Sequence, residues 1–146
     1  MSRRFFAPVT AFSRPRLVHH QVSHKAWNLP DLRIAILADL HICDPWTSLA
    51  ALRRIVALTN AQKADLILLP GDFIADGKLP ARPVPAAAIM AELRALAAPL
   101  GVAAVLGNHD WWDCRLSRST AFARNSVAEA LGNSAITLLT NAAVRI

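Results

Sequence analysis

Val102 to Cys114 reads VAAVLGNHDWWDC. An aliphatic run with the composition of a buried strand stops on Gly107-Asn108-His109-Asp110 and continues into Trp111 and Trp112. Open α/β sheets carry their sites in this form, because ligands bind outside the carboxyl ends of the strands. The same grammar occurs twice upstream. Leu32 to Leu37 (LRIAIL) runs into Ala38-Asp39-Leu40-His41, and Asp65 to Leu69 (DLILL) runs into Gly71-Asp72. Short, continuous, branched runs of this kind predict strands buried on both faces.

Between the strands lie helical patterns. From Thr47 to Gln62, Leu49, Leu52, Ile55, Val56 and Thr59 fall on one side and Arg53, Arg54 and Lys63 on another, with Asp44-Pro45 marking the start. A second helix is expected over Val84 to Ala98, ending before Pro99 and Gly101, and a third over Ser119 to Leu131, ending at Gly132-Asn133. Ile136 to Thr140 and Ala142 to Ile146 read as two short strands flanking Asn141. Strands and helices alternating at this spacing predict an α/β fold with a mainly parallel sheet. The proline-rich stretch from Asp76 to Pro83 is expected to form a rim of any pocket.

The chain of 146 residues is about one domain long, and 54% hydrophobic content suffices for a packed core. The net charge of +6 is not spread evenly. Arg3, Arg4, Arg14, Arg16 and Lys25 stand in an N-terminal stretch without Asp or Glu, and the remainder is nearly balanced. Residues 1–30 therefore read as a basic arm, disordered or held at a membrane surface, rather than as a twin-arginine export signal, because Pro8 and Arg14 interrupt its apolar stretch. A cytoplasmic or membrane-peripheral protein is expected. No run approaches the roughly 18 apolar residues of a membrane span. The arm lacks interleaved aromatics and the body is near neutral, so no specific nucleic-acid partner is expected. Cys43 and Cys114 are too few for a disulfide framework and read as small filler in a reducing compartment.

Parallel strands bring the three endings to one crevice. Carboxylates, imidazoles and a carboxamide form a mixed oxygen and nitrogen set suited to Mn, Fe or Zn. Strand-end alternation in Asp39-Leu40-His41 points both outer side chains the same way, so they can share one ion. Gly71 and Gly107 permit close approach or unusual backbone angles where the chain turns. Each piece alone would pass for an ordinary turn or helix cap. Three such endings, each behind a buried strand, point to a metal site.

Together, Asp39-Leu40-His41, Gly71-Asp72 and Gly107-Asn108-His109-Asp110 resemble the first three motifs of the calcineurin-like metallophosphoesterases, with phrasing nearest the bacterial phosphodiesterase-like branch. The resemblance implies the first half of an α/β/β/α sandwich and hydrolysis of phosphate mono- or diesters at two divalent metal ions. Asp39 and His41 would hold the first metal, Asp72 would bridge both, and Asn108 would hold the second. His109 would protonate the leaving oxygen, with Asp110 orienting or tuning it. Two ions roughly 3.5–4 Å apart would activate a hydroxide for in-line attack on phosphorus.

The chain departs from the family in two places. The family adds histidines in later Gly-His and Gly-His-x-His segments, whereas the five here are His19, His20, His24, His41 and His109. Ala75 stands where the second motif often carries an acidic or amide residue. Residues 31–146 are therefore expected to be the N-terminal part of a longer domain, impaired in catalysis alone and exposing an apolar sheet face through which copies self-associate. The competing expectation is a non-catalytic interaction module that keeps the phosphoesterase fold.

Overall fold

The computed structural model describes residues 15–75 and 80–146. Its sheet is parallel, in the order β1 (Ile34–Ile36), β3 (Leu66–Leu69), β5 (Val102–Ala104), β6 (Thr137–Leu138). Helix α1 (Leu49–Ala61) connects β1 to β3, and α2 (Ala86–Leu93) connects β3 to β5. Three short helices, α3 (Asn108–Trp112), α4 (Arg115–Ser119) and α5 (Ser126–Gly132), lead from β5 to β6. A separate antiparallel pair joins β2 (Cys43–Asp44) to β4 (Arg82–Pro83). This is the α/β class expected from the alternation of apolar runs and amphipathic stretches.

The core lies on one side of the sheet. Ala35, Ile67, Leu69, Val102 and Ala104 pack against Leu52 and Val56 of α1, Ile89, Met90 and Leu93 of α2, and Val127 and Leu131 of α5. Ile34, Ile36 and Val105 alternate with these residues and are exposed, Ile36 at 64%. The first strand is thus covered on one face among the described residues, not on both as its continuous apolar run predicts. A run of branched residues carries no mark of which face has a neighbour.

Two boundaries differ from expectation for identifiable reasons. The start of α1 is set by Ser48, whose hydroxyl accepts from the Ala51 N–H, and not by Asp44-Pro45. The third helix is broken in two. Ala121 and Phe122 adopt φ of 47° and 64°, and a new helix begins where the Asn125 side chain accepts from the N–H groups of Val127 and Ala128. The apolar spacing runs through this break because side-chain periodicity does not record a cap. At the other end, α2 stops at Leu93, and single turns continue to Gly101. Of the two C-terminal strands only Thr137–Leu138 forms; Ala142 to Ile146 is exposed and outside any strand. No helix of the described residues is long and apolar enough to cross a membrane. The start of the basic arm and residues 76–79 of the expected rim lie outside the described residues.

Candidate metal centre

Because β1, β3 and β5 are parallel neighbours, their carboxyl ends lie side by side, and the chain segments beyond them remain tied together. Asp39 N donates to Gly71 O (3.3 Å), His41 N to Asp72 O (2.9 Å), and Ile42 N to Phe73 O (2.9 Å). The third segment is tied to the second when His109 N donates to Asp72 Oδ1 at 2.9 Å. The close approach needs glycine on both sides. A Cβ on Gly71, whose φ is +97°, would stand 2.1 Å from Gly107 N, and one on Gly107 would stand 2.1 Å from Asp72 Oδ1.

Backbone strain concentrates at the same place. Asp39, His41 and Asp72 have φ of 55°, 41° and 56°, the left-handed region that non-glycine residues avoid at on the order of 1–3 kcal/mol each. Their side chains meet. His41 Nε2 lies 3.9 Å from Asp39 Oδ1 and 4.0 Å from Asp72 Oδ2, with Asp39 largely exposed and Asp72 nearly buried. His41 Nδ1 is 3.2 Å from the Ile74 carbonyl. A carbonyl oxygen only accepts, so Nδ1 donates to it and Nε2 is the ring nitrogen that faces the two carboxylates. Ligating atoms of His41, Asp72 and His109 all lie within 4.8 Å of one another.

The donor set fits a divalent cation. Two atoms bound to one ion at about 2.1 Å lie roughly 3.0–3.4 Å apart at octahedral or tetrahedral angles. The 3.9 and 4.0 Å separations therefore close onto a shared ion with shifts of about half an ångström. A histidine held by a carbonyl at its other nitrogen is the usual second contact of a metal-bound imidazole.

Compared with known protein families, residues 32–142 match the family described as calcineurin-like phosphoesterase. The chain belongs to the calcineurin-like phosphoesterases. The three strand endings sit inside the matched span, the α/β fold is that of a metallophosphoesterase, and the family is one of hydrolases that use divalent metal ions. No curated protein and no solved structure matches the chain.

Asp39, His41, Asp72 and His109 are brought together, while Asn108, the expected ligand of a second ion, opens α3 as an exposed residue beside His109. Asp110 lies differently from the expectation that it orients His109. Its side chain is fully buried and faces the end of β3. Oδ2 accepts from the N–H groups of Asp72 (2.8 Å) and Gly107 (2.9 Å), and Oδ1 from those of Phe73 (2.9 Å) and Ile74 (3.2 Å). Burial pushes this carboxyl above its ordinary value, against the pull of the four N–H groups. The Asp113 carboxylate does contact the His109 ring, its Oδ2 at 2.6 Å from Nδ1. Two residues escaped the sequence reading, Asp113 and Asn125, whose Nδ2 donates to the Asp110 carbonyl at 2.8 Å. The i,i+4 spacing of His109 and Asp113 was the available signal for the first, and it has meaning only once Asn108 is known to start a helix.

Cys43 and Cys114 are buried and free, consistent with filler. Trp111 is half-buried, whereas Trp112 is exposed, its ring centroid 6.5 Å from that of His109 at 72°.

Proposed function

We propose that this chain holds two divalent cations and hydrolyses phosphate mono- or diesters of small molecules. The observation carrying the reading is the convergence of His41 Nε2 on the Asp39 and Asp72 carboxylates at 3.9 and 4.0 Å, with Nδ1 held by the Ile74 carbonyl. In this reading Asp39 and His41 would hold the first cation, Asp72 would be shared by both, and Asn108 would hold the second; Mn, Fe and Zn all suit such a set. When bound, the cations neutralise charge on the phosphoryl oxygens and supply a nucleophile at neutral pH. The chain's own groups set the geometry. The Ile74 carbonyl holds the His41 ring, and the His109 N–H holds one oxygen of Asp72. His109 gives a proton to the departing oxygen as the ester bond breaks.

Titration calorimetry of the metal-stripped chain with Mn(II), beside His41→Ala and Asp72→Ala, tests the site. Binding to the wild type, weakened at least tenfold in each variant, is the expected result. Failure of the wild type to bind Mn(II), Fe(II) or Zn(II) would overturn the proposal. A second reading, that of a binding module keeping the phosphoesterase fold, is favoured by Ala75, which stands where the second motif of the family often carries an acidic or amide residue. Metal binding without Mn-dependent cleavage of an aryl phosphodiester would select it.

A further inference from the structure

We propose that Trp112 determines specificity at the candidate site. Its indole is a platform for an aromatic group carried by the phosphate ester, so the substrate class is that of ring-bearing phosphoesters. The proposal deepens the hydrolase reading above and rests on it for the phosphate. Its structural content stands on the exposure of the indole and on its ring contact with His109.

Two adjacent tryptophans are treated differently by the fold. Trp111 is half-buried, whereas Trp112 leaves 61% of its surface to solvent. Burial of an indole is strongly favourable, and at Trp112 the molecule forgoes that gain. The helix explains where the exposed ring stands. His109 and Trp112 are three residues apart on α3, which puts them on one face, a turn apart. The His109 imidazole lies against the His41 ring, centroids 5.0 Å apart at 76°, and the indole lies 6.5 Å beyond it at 72°. The three rings form a row that starts at the converging Asp39, His41 and Asp72 side chains and ends in solvent. Near-perpendicular contacts set the edge of one ring against the face of the other, so His109 occupies at most one face of the indole. Trp27 and Phe122, the other exposed Trp and Phe side chains of the described residues, stand before β1 and beyond α4.

The chemistry of the ligand follows from the open face. An indole attracts flat rings by offset stacking, with centroids about 4.5–7 Å apart, and it takes a phenyl ring and a nucleobase alike because each has a π face. The phosphoryl group belongs at the converging carboxylates and imidazole. Both ends of one molecule are held at once when the ring is joined to the ester oxygen directly or through a short linker. A methyl ester has nothing to lay on the indole. Stacking does not distinguish one ring from another, so the selection is for aromatic phosphoesters as a class.

Calorimetric titration of the full chain in Mn(II) with phenylphosphonate and with methylphosphonate tests this, since the two differ in the ring and not in charge. The wild type is expected to bind the phenyl compound roughly tenfold more tightly, the size of one ring stack. Trp112→Ala should bring the two affinities together, and Trp112→Phe, which keeps an aromatic face, should retain most of the preference. In Mn-dependent cleavage of a p-nitrophenyl diester, Trp112→Ala should raise KM by a larger factor than it lowers kcat. Three results overturn the proposal while the phosphoesterase reading stands: equal affinity of the wild type for the two phosphonates, a phenyl preference that survives Trp112→Ala, or cyclohexylphosphonate bound as tightly as phenylphosphonate. A phenyl preference lost in Trp112→Ala, in a wild type that cleaves no ester, supports the platform and sinks the hydrolase reading. A wild type that binds neither phosphonate overturns both.

Discussion

Replacing Asp110 with asparagine keeps the shape of a buried side chain but halves what it can accept. The carboxylate places each oxygen on two backbone N–H groups, those of Asp72 and Gly107 on one side and of Phe73 and Ile74 on the other. An amide has one oxygen, so whichever way it lies, two N–H donors face an NH2 group. Hydrogen bonds to a charged group contribute roughly 1.5–3 kcal/mol each, so losing two costs about 3–6 kcal/mol before any offset. The offset is the burial of charge that raises the carboxyl's pKa, from which the amide is exempt. A net loss of about 2–4 kcal/mol is expected, a large share of the roughly 5–15 kcal/mol that holds an ordinary domain together. Urea unfolding followed by tryptophan fluorescence measures it. Asp113→Asn, which touches only the partly exposed His109 pair, is the control and should stay within about 1 kcal/mol. An Asp110→Asn midpoint equivalent to less than about 0.5 kcal/mol would refute the view that this carboxylate clamps the end of β3 to α3.

Gly71→Ala should destabilise by at least about 2 kcal/mol more than Gly101→Ala, since both have φ above +90° but only Gly71 has backbone 2.1 Å from the added carbon; equal midpoints in the same urea assay would show that the close approach does not exist. Ile36→Lys on the uncovered face should change stability by less than about 0.5 kcal/mol, and Ile67→Ala on the helix-packed face should cost about 2–5 kcal/mol; comparable losses would mean that the sheet is covered on both sides. Burial pushes the Cys114 thiol up, but the Ser117 hydroxyl nearby, the Ser126 hydroxyl and the N–H groups of both serines outweigh it and bring the pKa from 9.0 to about 7. A thiol lowered by folding adds stability that is fully present above pH 9 and lost as pH falls through about 7. The stability gap between wild type and Cys114→Ala should therefore widen from pH 6 to pH 9, and a gap flat with pH would contradict the sulfur environment described.

The sequence alone determined the alternation of the main strands and helices, the mainly parallel character of the sheet, and the arrival of Asp39, His41, Asp72 and His109 at one crevice. These features follow from local pattern: apolar runs make strands, intervening amphipathic stretches force crossovers, and parallel neighbours must align their carboxyl ends. The tertiary structure decided which carboxylate serves which partner. Asp110 and Asp113 stand on the same short turn and are equivalent in composition, yet one is buried on N–H groups from the end of β3 and the other lies against the His109 ring. That choice depends on where the end of β3 lies relative to the first turn of α3, a separation of more than thirty residues along the chain that no spacing rule spans. The broken third helix and the uncovered face of β1 have the same origin, since a cap such as Asn125 and a neighbour across a sheet act through directions in space, and a one-dimensional pattern of apolar and polar residues carries none.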